Sequence, residues 1–196
     1  MLNLAGNVLA AVDIETTGLL DAYHDMVQVA VVPLDHNLDP LDKPPFYMNI
    51  KPEHPERADP EAMRVNGLKM EELMVCPDQW AVADAFDEWW EALDLGMFKK
   101  LVYLTQNAPF DISFMRQWLG IQGFEKYFTR RGRDTMFTAL ALNDQACWKN
   151  KPIPFNRVGL KDLTAYFGIQ LDDHHDALAD CLATAKVYRE LLRFEV

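Results

Sequence analysis

The chain has 196 residues, of which 49 % are hydrophobic and 25 % charged, with a formal net charge of −11. That is long enough for one domain with a full core, and no linker, repeat or low-complexity tract divides residues 1–196. No apolar run approaches the roughly 18 residues of a membrane span, and no basic flank precedes a hydrophobic run at the N-terminus, so neither membrane insertion nor secretion is expected. Cys76, Cys147 and Cys181 are odd in number and lack paired spacing, the pattern of a reduced, cytoplasmic protein without structural zinc.

The first element is Val8 to Ile14, VLAAVDI, an apolar run of strand length ended by Thr16, Thr17 and Gly18. It reads as a central strand buried on both faces. Asp13 and Glu15 interrupt it. Residues two apart on a strand point the same way, roughly 6.6 Å apart, so the two carboxylates either converge on one cation or flank a turn at the strand's edge. Gly18 suits a tight turn that opens the strand end to solvent.

Further strands are predicted over 26–34, 45–51 and 101–105, with a short fifth one before Asp134. Helices are predicted over 60–66, 80–94, 110–119, 135–145, 160–167 and 177–193. The first three strands follow one another closely and make an antiparallel meander; the later ones join through helical crossovers, giving an α/β mixed sheet flanked by helices.

Two more acidic positions interrupt apolar patterns. The strand KLVYLT stops at Gln106, Asn107 and Ala108, and Pro109 fits the first turn of the helix that follows. Asp111 on that helix shares a stripe with Phe114, Met115 and Trp118, all of them core types; its alternative role is to cap the helix. Near the C-terminus, HHDALAD places Asp176 as N-cap of the last helix, His175 on the loop before it and Asp180 within the first turns. Asp180 has Ala177, Ala183, Thr184 and Val187 at helical spacing, a poor setting for an unpartnered charge. His175 taken singly is equally a solvated loop histidine, as His174 beside it illustrates. Buried carboxylates need a compensating cation, and an all-oxygen ligand set without cysteine favours Mg²⁺ or Mn²⁺ over zinc.

Asp13, Glu15, Asp111 and Asp180, with a histidine five positions before the last acid, resemble the DEDD exonuclease superfamily in its histidine-bearing branch. That branch includes the epsilon proofreading subunit of bacterial replicative polymerase and its DnaQ-like relatives, ribonuclease T and oligoribonuclease. The resemblance extends to three connectors: Met63 to Leu68, Asp134-Thr135, and Gly159 to Leu163. It implies a ribonuclease H-like fold and a metal-dependent 3′–5′ exonuclease that releases nucleoside 5′-monophosphates. It implies two Mg²⁺ or Mn²⁺ ions held by Asp13, Glu15, Asp111 and Asp180, with His175 as general base toward the attacking water. It also implies that Asn107 and the main chain of Thr16, Thr17, Gly18 and Leu19 hold the terminal nucleotide, with Leu19 and Phe110 in apolar contact and Asn66 nearby; Phe110 is equally readable as core. Two positions depart from the pattern. Gln106 stands where many relatives have His, and Asn66 stands where the epsilon type has His, which bears on substrate grip more than on metal binding.

Charge is unevenly spread, since residues 116–161 contain nine Lys or Arg against three Asp or Glu. Arg130, Arg131 and Arg133, with Lys149, Lys151, Arg157 and Lys161, are either phosphate contacts or a solvated basic loop, and such a local zone suits gripping a few nucleotides at a free 3′ end. Trp80, Trp89 and Trp90 lie on one predicted helix, where their spacing assigns them to core and partner packing rather than to base stacking. The expected substrate is DNA with single-stranded or frayed ends. The alternative is RNA 3′-end trimming, as in ribonuclease T and oligoribonuclease; an inactive nucleic-acid-binding module would have lost a carboxylate or the base, and all five residues are present. Val196 follows closely on the last predicted helix, which leaves no room for a polymerase-tethering tail. An enzyme standing alone or docked by its surface on a replication or repair partner is therefore expected.

Overall fold

In the computed structural model, which describes residues 4–96, 99–170 and 176–196, β1 (Val8–Thr16) is the middle strand of a five-stranded sheet. It pairs antiparallel with β2 (Met26–Pro33), which pairs antiparallel with β3 (Phe46–Asn49). On its other edge β1 runs parallel to β4 (Leu101–Thr105), followed by the short β5 (Arg133–Asp134). The order is β3-β2-β1-β4-β5. The three antiparallel strands are the expected meander, and the parallel ones are joined by helices because a parallel return needs a long crossover.

The helices are α1 (Pro60–Asn66), α2 (Met70–Leu73), α3 (Gln79–Leu93), α4 (Ala108–Tyr127), α5 (Thr135–Trp148), α6 (Leu160–Phe167) and α7 (Ala177–Arg193). This is the α/β mixed sheet flanked by helices read from the sequence. Most boundaries shift by a residue or two. The largest difference is α4, which continues past its predicted end at Leu119. Gly120 breaks the helix with φ 69°, a conformation glycine adopts without a side-chain penalty, and a further turn follows that buries Phe124 and Tyr127. The four-residue α2 was not predicted, being too short for a helical pattern to emerge.

Each face of β1 has its own core. Ala10, Val12 and Ile14 pack with Phe86, Phe114, Met115 and Trp118 on the side of α3 and α4. Leu9 and Ala11 point the other way, toward Ala177, Cys181, Ala185 and Tyr188 of α7. The small residues at four-residue spacing on α7 let it lie close to the sheet. A third cluster, Ala139, Phe155, Leu163, Val187 and Leu191, joins α5 and α6 to the far side of α7. Among the described residues no helix is long and apolar enough to cross a membrane.

Gln28 fixes where α7 begins. It is buried in the otherwise apolar β2, its amide nitrogen donates to Tyr47 Oη and Asn49 Oδ1, and its oxygen accepts the backbone N–H of Ala177. Asp176 caps the same helix end by accepting from Leu178 and Ala179 N–H, and Tyr47 donates its hydroxyl to the Asp176 carboxylate. A buried glutamine satisfied on three sides positions more strictly than an apolar residue could.

Trp89 and Trp90 pack against the core as expected, Trp89 donating to Pro44 O. Trp80 departs from expectation. It sits in the first turn of α3 and is 70 % exposed, because at the helix start its face turns away from the sheet.

Gln28→Leu should leave buried hydrogen-bonding groups of Asn49 and Ala177 unsatisfied and destabilise the fold by about 2–3 kcal/mol. Urea denaturation measures this, and a loss below about 0.5 kcal/mol would show that Gln28 does not anchor α7.

Candidate active site

Asp13 and Glu15 continue the row of Leu9 and Ala11, so strand alternation turns both carboxylates toward α7. Asp13 pairs with Ala30 and Glu15 with Gln28, and the register slips between Glu15 and Thr16, where a bulge bends the strand end outward. The ladder from β1 to β4 runs only from Val8↔Leu101 to Ala11↔Leu104. Asp13 thus lies just beyond the paired region, at the carboxyl ends of two parallel strands, where α/β folds open a crevice.

From α7, Asp180 meets the pair: ligand oxygens of Asp13, Glu15 and Asp180 all lie within 4.8 Å of one another. Asp111 enters from α4. It is buried, it accepts main-chain hydrogen bonds from its own residue and from Ile14 of β1, and its Oδ2 has no hydrogen-bond partner among the described residues. The four predicted carboxylates are brought together by three elements, one of which reaches them from the opposite face of the sheet.

Electrostatics follow from this crowding. Burial pushes Asp13 well above the usual carboxylate range, and the charges of Asp111, Asp180, Glu15 and Asp176 push it further. Glu15 is raised from 4.5 to about 8, first by burial and then by Asp180, Asp111 and Asp176. Asp111 is raised by burial, offset in part by its main-chain hydrogen bonds and reinforced by Asp134 and Asp180. Among the described residues no ion pair with Lys, Arg or His reaches Asp13, Glu15 or Asp111. Close-set carboxylate oxygens beside an unsatisfied buried Oδ2 on Asp111 fit hard divalent cations such as Mg²⁺ or Mn²⁺. Cys181 lies beneath them, and burial followed by those same carboxylates pushes its thiol up, so it stays protonated and inert.

The remaining predicted residues divide by place. Thr16 Oγ1 donates to Gly18 O, and Thr17 exchanges hydrogen bonds with Asp25, which closes the turn after β1 and leaves Leu19 76 % exposed at its tip. A Cβ on Gly18 would lie 2.3 Å from the His24 ring, so only glycine fits there without displacing it. Asn107 is exposed and holds φ 70°, ψ 59° as it turns the chain from β4 into α4. Strain of that kind is found where a functional geometry is held by its surroundings. Phe110 is half-buried, with its ring 5.2 Å from that of Phe114. Asn66 is spent on the fold: its Nδ2 donates to Thr16 O and its Oδ1 accepts from Leu68 N. Gln106 likewise ties the β4 end to its neighbours, donating to Val158 O and accepting from Thr135 Oγ1.

The three arginines do not converge on the carboxylates. Arg130 pairs with Glu125, and with Arg131 it lines a shallow recess beside Lys100 at the opening end of β4, the opposite end of the sheet from Asp13. Arg133 bonds Tyr188 of α7. His175 lies outside the described residues. Sequence reading missed the weight of Gln28 and Asp134. Asp134 is buried and caps two helices at once, accepting from Ala108 N–H of α4 and from Phe137 N–H of α5, which sets Asp111 in place. For Gln28 the signal was a polar residue inside an apolar strand; for Asp134 it was an acid directly before the apolar helix it caps.

Comparison with known proteins gives the class. A family profile described as Exonuclease, of the RNase T type, matches residues 10–188, and the chain belongs to that family: it is a hydrolase, a 3′–5′ exonuclease of the DEDD superfamily acting on nucleic acids, in which divalent metal ions serve the carboxylate cluster. Among curated relatives it is similar to DNA polymerase III PolC-type of Staphylococcus aureus (strain bovine RF122 / ET3-1), 25 % identical over 181 residues that cover 92 % of this chain and 11 % of that protein. The chain therefore spans only a small part of such a relative. Among solved structures, Escherichia coli exonuclease I in complex with a dA16 oligonucleotide superposes with TM-score 0.71 at 21 % identity, covering 93 % of this chain and 40 % of that one. The nuclease domain of 3′hExo, a DEDDh family member bound to rAMP, gives TM-score 0.71 at 15 % identity, covering 98 % and 94 %. These structural likenesses support the ribonuclease H-like fold.

Because Glu15 is raised in the folded chain, the stability it contributes is fully present below about 4.5 and is lost as pH rises through about 8. With a chelator present, the melting temperature should therefore fall across that window. Added Mn²⁺ should raise it more at pH 8 than at pH 5.5, since protons and metal compete for the same oxygens. Thermal melts at both pH values test this; an equal Mn²⁺ effect at both would contradict the assignment.

Proposed function

We propose that this chain hydrolyses single-stranded or frayed DNA from its 3′ end, releasing nucleoside 5′-monophosphates, and that residues 1–196 make up the exonuclease domain. The observation that carries the reading is the approach of Asp13, Glu15 and Asp180 to within 4.8 Å, with Asp111 buried behind them. DNA is favoured because the PolC-type relative is a DNA polymerase and exonuclease I was solved on dA16. The rAMP bound by 3′hExo supports RNA as the second reading. The PolC relationship also favours a replication or repair setting.

Asp13, Glu15, Asp111 and Asp180 would hold two Mg²⁺ or Mn²⁺ ions, which supply charge neutralisation at the phosphate and acidify the attacking water. The protein does the rest. Asp134 and Gln28, by seating α4 and α7, keep the carboxylates in register before substrate arrives, so little reorganisation remains for the transition state. Leu19 and Phe110 offer apolar surface to the terminal nucleotide, and the strained turn at Asn107 presents its amide to the sugar. His175 takes the proton of the water as its oxygen bonds to phosphorus. The P–O3′ bond then breaks, the leaving O3′ takes up a proton from solvent, and the upstream strand departs with a new 3′ hydroxyl.

Asp13→Ala and Asp180→Ala should each abolish digestion of a 5′-labelled oligonucleotide, while circular dichroism shows a folded protein. His175→Ala should lower turnover by roughly 10²–10⁴ and leave Mn²⁺ binding intact. Full activity in either carboxylate variant would refute the reading. Matched DNA and RNA oligonucleotides assayed together decide the substrate, with faster DNA digestion expected.

A further inference from the structure

Two rows of side chains cross the sheet on the face that α7 covers. Glu15 of β1 stands opposite Gln28 of β2, and Gln28 opposite Asn49 of β3; one pleat along, Asp13 stands opposite Ala30, and Ala30 opposite Tyr47. Residues paired across strands share a face, so Tyr47 lies two strands, about 10 Å, from Asp13 with only the small Ala30 between them.

Polar groups on these rows close a ring around the start of α7. Ala177 N–H donates to Gln28 Oε1, the Gln28 amide nitrogen donates to Tyr47 Oη, and Tyr47 donates its hydroxyl to Asp176 Oδ2. Asp176 Oδ1 accepts from Leu178 and Ala179 N–H. Both oxygens of Asp176 are therefore occupied. That matters because Asp176 precedes Asp180 by one helical turn on the same side of α7, and its charge reaches far enough to raise both Asp13 and Glu15. It is a fifth carboxylate at the edge of a four-carboxylate cluster. Tyr47 stands on an edge strand and is 39 % exposed, yet burial followed by Asp176 holds its hydroxyl above the ordinary tyrosine range, so it remains a donor.

We propose that Tyr47 is a positioning residue for the exonuclease reaction: by holding Asp176 Oδ2 it keeps this fifth carboxylate out of the group that takes the divalent cations. The inference rests on the exonuclease reading of the carboxylate site and adds to it a residue that acts only through Asp176. Sites for Mg²⁺ and Mn²⁺ in such chemistry work with several positions left to water and substrate phosphate. A carboxylate oxygen released beside Glu15 and Asp180 adds negative charge, so it tightens cation binding while leaving less room for the phosphate. Phenylalanine at 47 would keep the ring and its packing but supply no donor, which makes the hydroxyl separable from the fold.

The test is a double-mutant cycle on Tyr47→Phe and Asp176→Asn, with circular dichroism melts confirming that each variant folds; asparagine caps a helix about as well as aspartate, so α7 keeps its start. Turnover is followed on a 5′-labelled single-stranded oligonucleotide, and Mn²⁺ affinity by calorimetry without nucleic acid. Tyr47→Phe should lower kcat roughly 10-fold with KM for the oligonucleotide unchanged. It should also bind Mn²⁺ roughly 10-fold more tightly, because ligand charge has been added. In the Asp176→Asn background the same substitution should change neither quantity. A merely structural role predicts weaker Mn²⁺ binding together with slower turnover, alike in both backgrounds, and that result overturns the proposal, as does an unchanged kcat in Tyr47→Phe. The two readings fail separately. A wild-type protein that binds Mn²⁺ but cleaves no oligonucleotide refutes the exonuclease reading, and the calorimetric cycle then judges Tyr47 by itself: tighter binding in Tyr47→Phe that vanishes in the double variant upholds its hold on Asp176, and any other pattern overturns it.

Discussion

Mutual repulsion among buried acids is the constraint on which this structure turns. Asp13, Glu15, Asp111 and Asp180 are gathered from β1, α4 and α7 into a space where burial and neighbouring charge both disfavour ionisation. Sequestering carboxylates in this way costs stability that an apolar core would not lose. The protein meets the cost with rigid attachment: three hydrogen bonds from Gln28, two helix caps from Asp134, and a strip of small residues that draws α7 against the sheet. Divalent cations held by these carboxylates would offset that repulsion and would supply the polarisation that phosphodiester cleavage requires.

Under the proposed function, the same strand end would receive the terminal nucleotide. β1 is paired with β4 only as far as Ala11, and the bulge after Glu15 bends its end into the turn carrying Gly18 and Leu19. Beyond the acids of β1 the turn exposes Leu19, while Asn107 and Phe110 stand at the start of α4. Acid for metal and apolar surface for base are separated within a few residues of chain.

Much of this was legible from the residues. A carboxylate within VLAAVDI or on the stripe of Phe114, Met115 and Trp118 contradicts local patterning so sharply that it signals a site, and the antiparallel meander and helical crossovers followed from short connections early and long ones later. What the sequence obscured has physical reasons. Asn66 and Gln106, the two departures from the family pattern, are tied into the fold by hydrogen bonds that no periodicity reveals. Basic residues close together in sequence were dispersed, with Arg130 carried to the far end of β4 and Arg133 turned to Tyr188. Trp80 shares a helix with two core tryptophans yet projects outward, because it lies two residues, roughly 200° of helical rotation, before Val82 on the buried stripe of Val82, Phe86 and Leu93.

Calorimetric titration with Mn²⁺, performed near pH 7 in two buffers of different ionisation enthalpy, addresses the central claim most directly. The account predicts two ions bound per chain with protons released, because Glu15, held at about 8, must give up its proton to coordinate, and predicts that Asp13→Asn removes this signature. Tight binding without proton release, or a titration unchanged in Asp13→Asn, would contradict it.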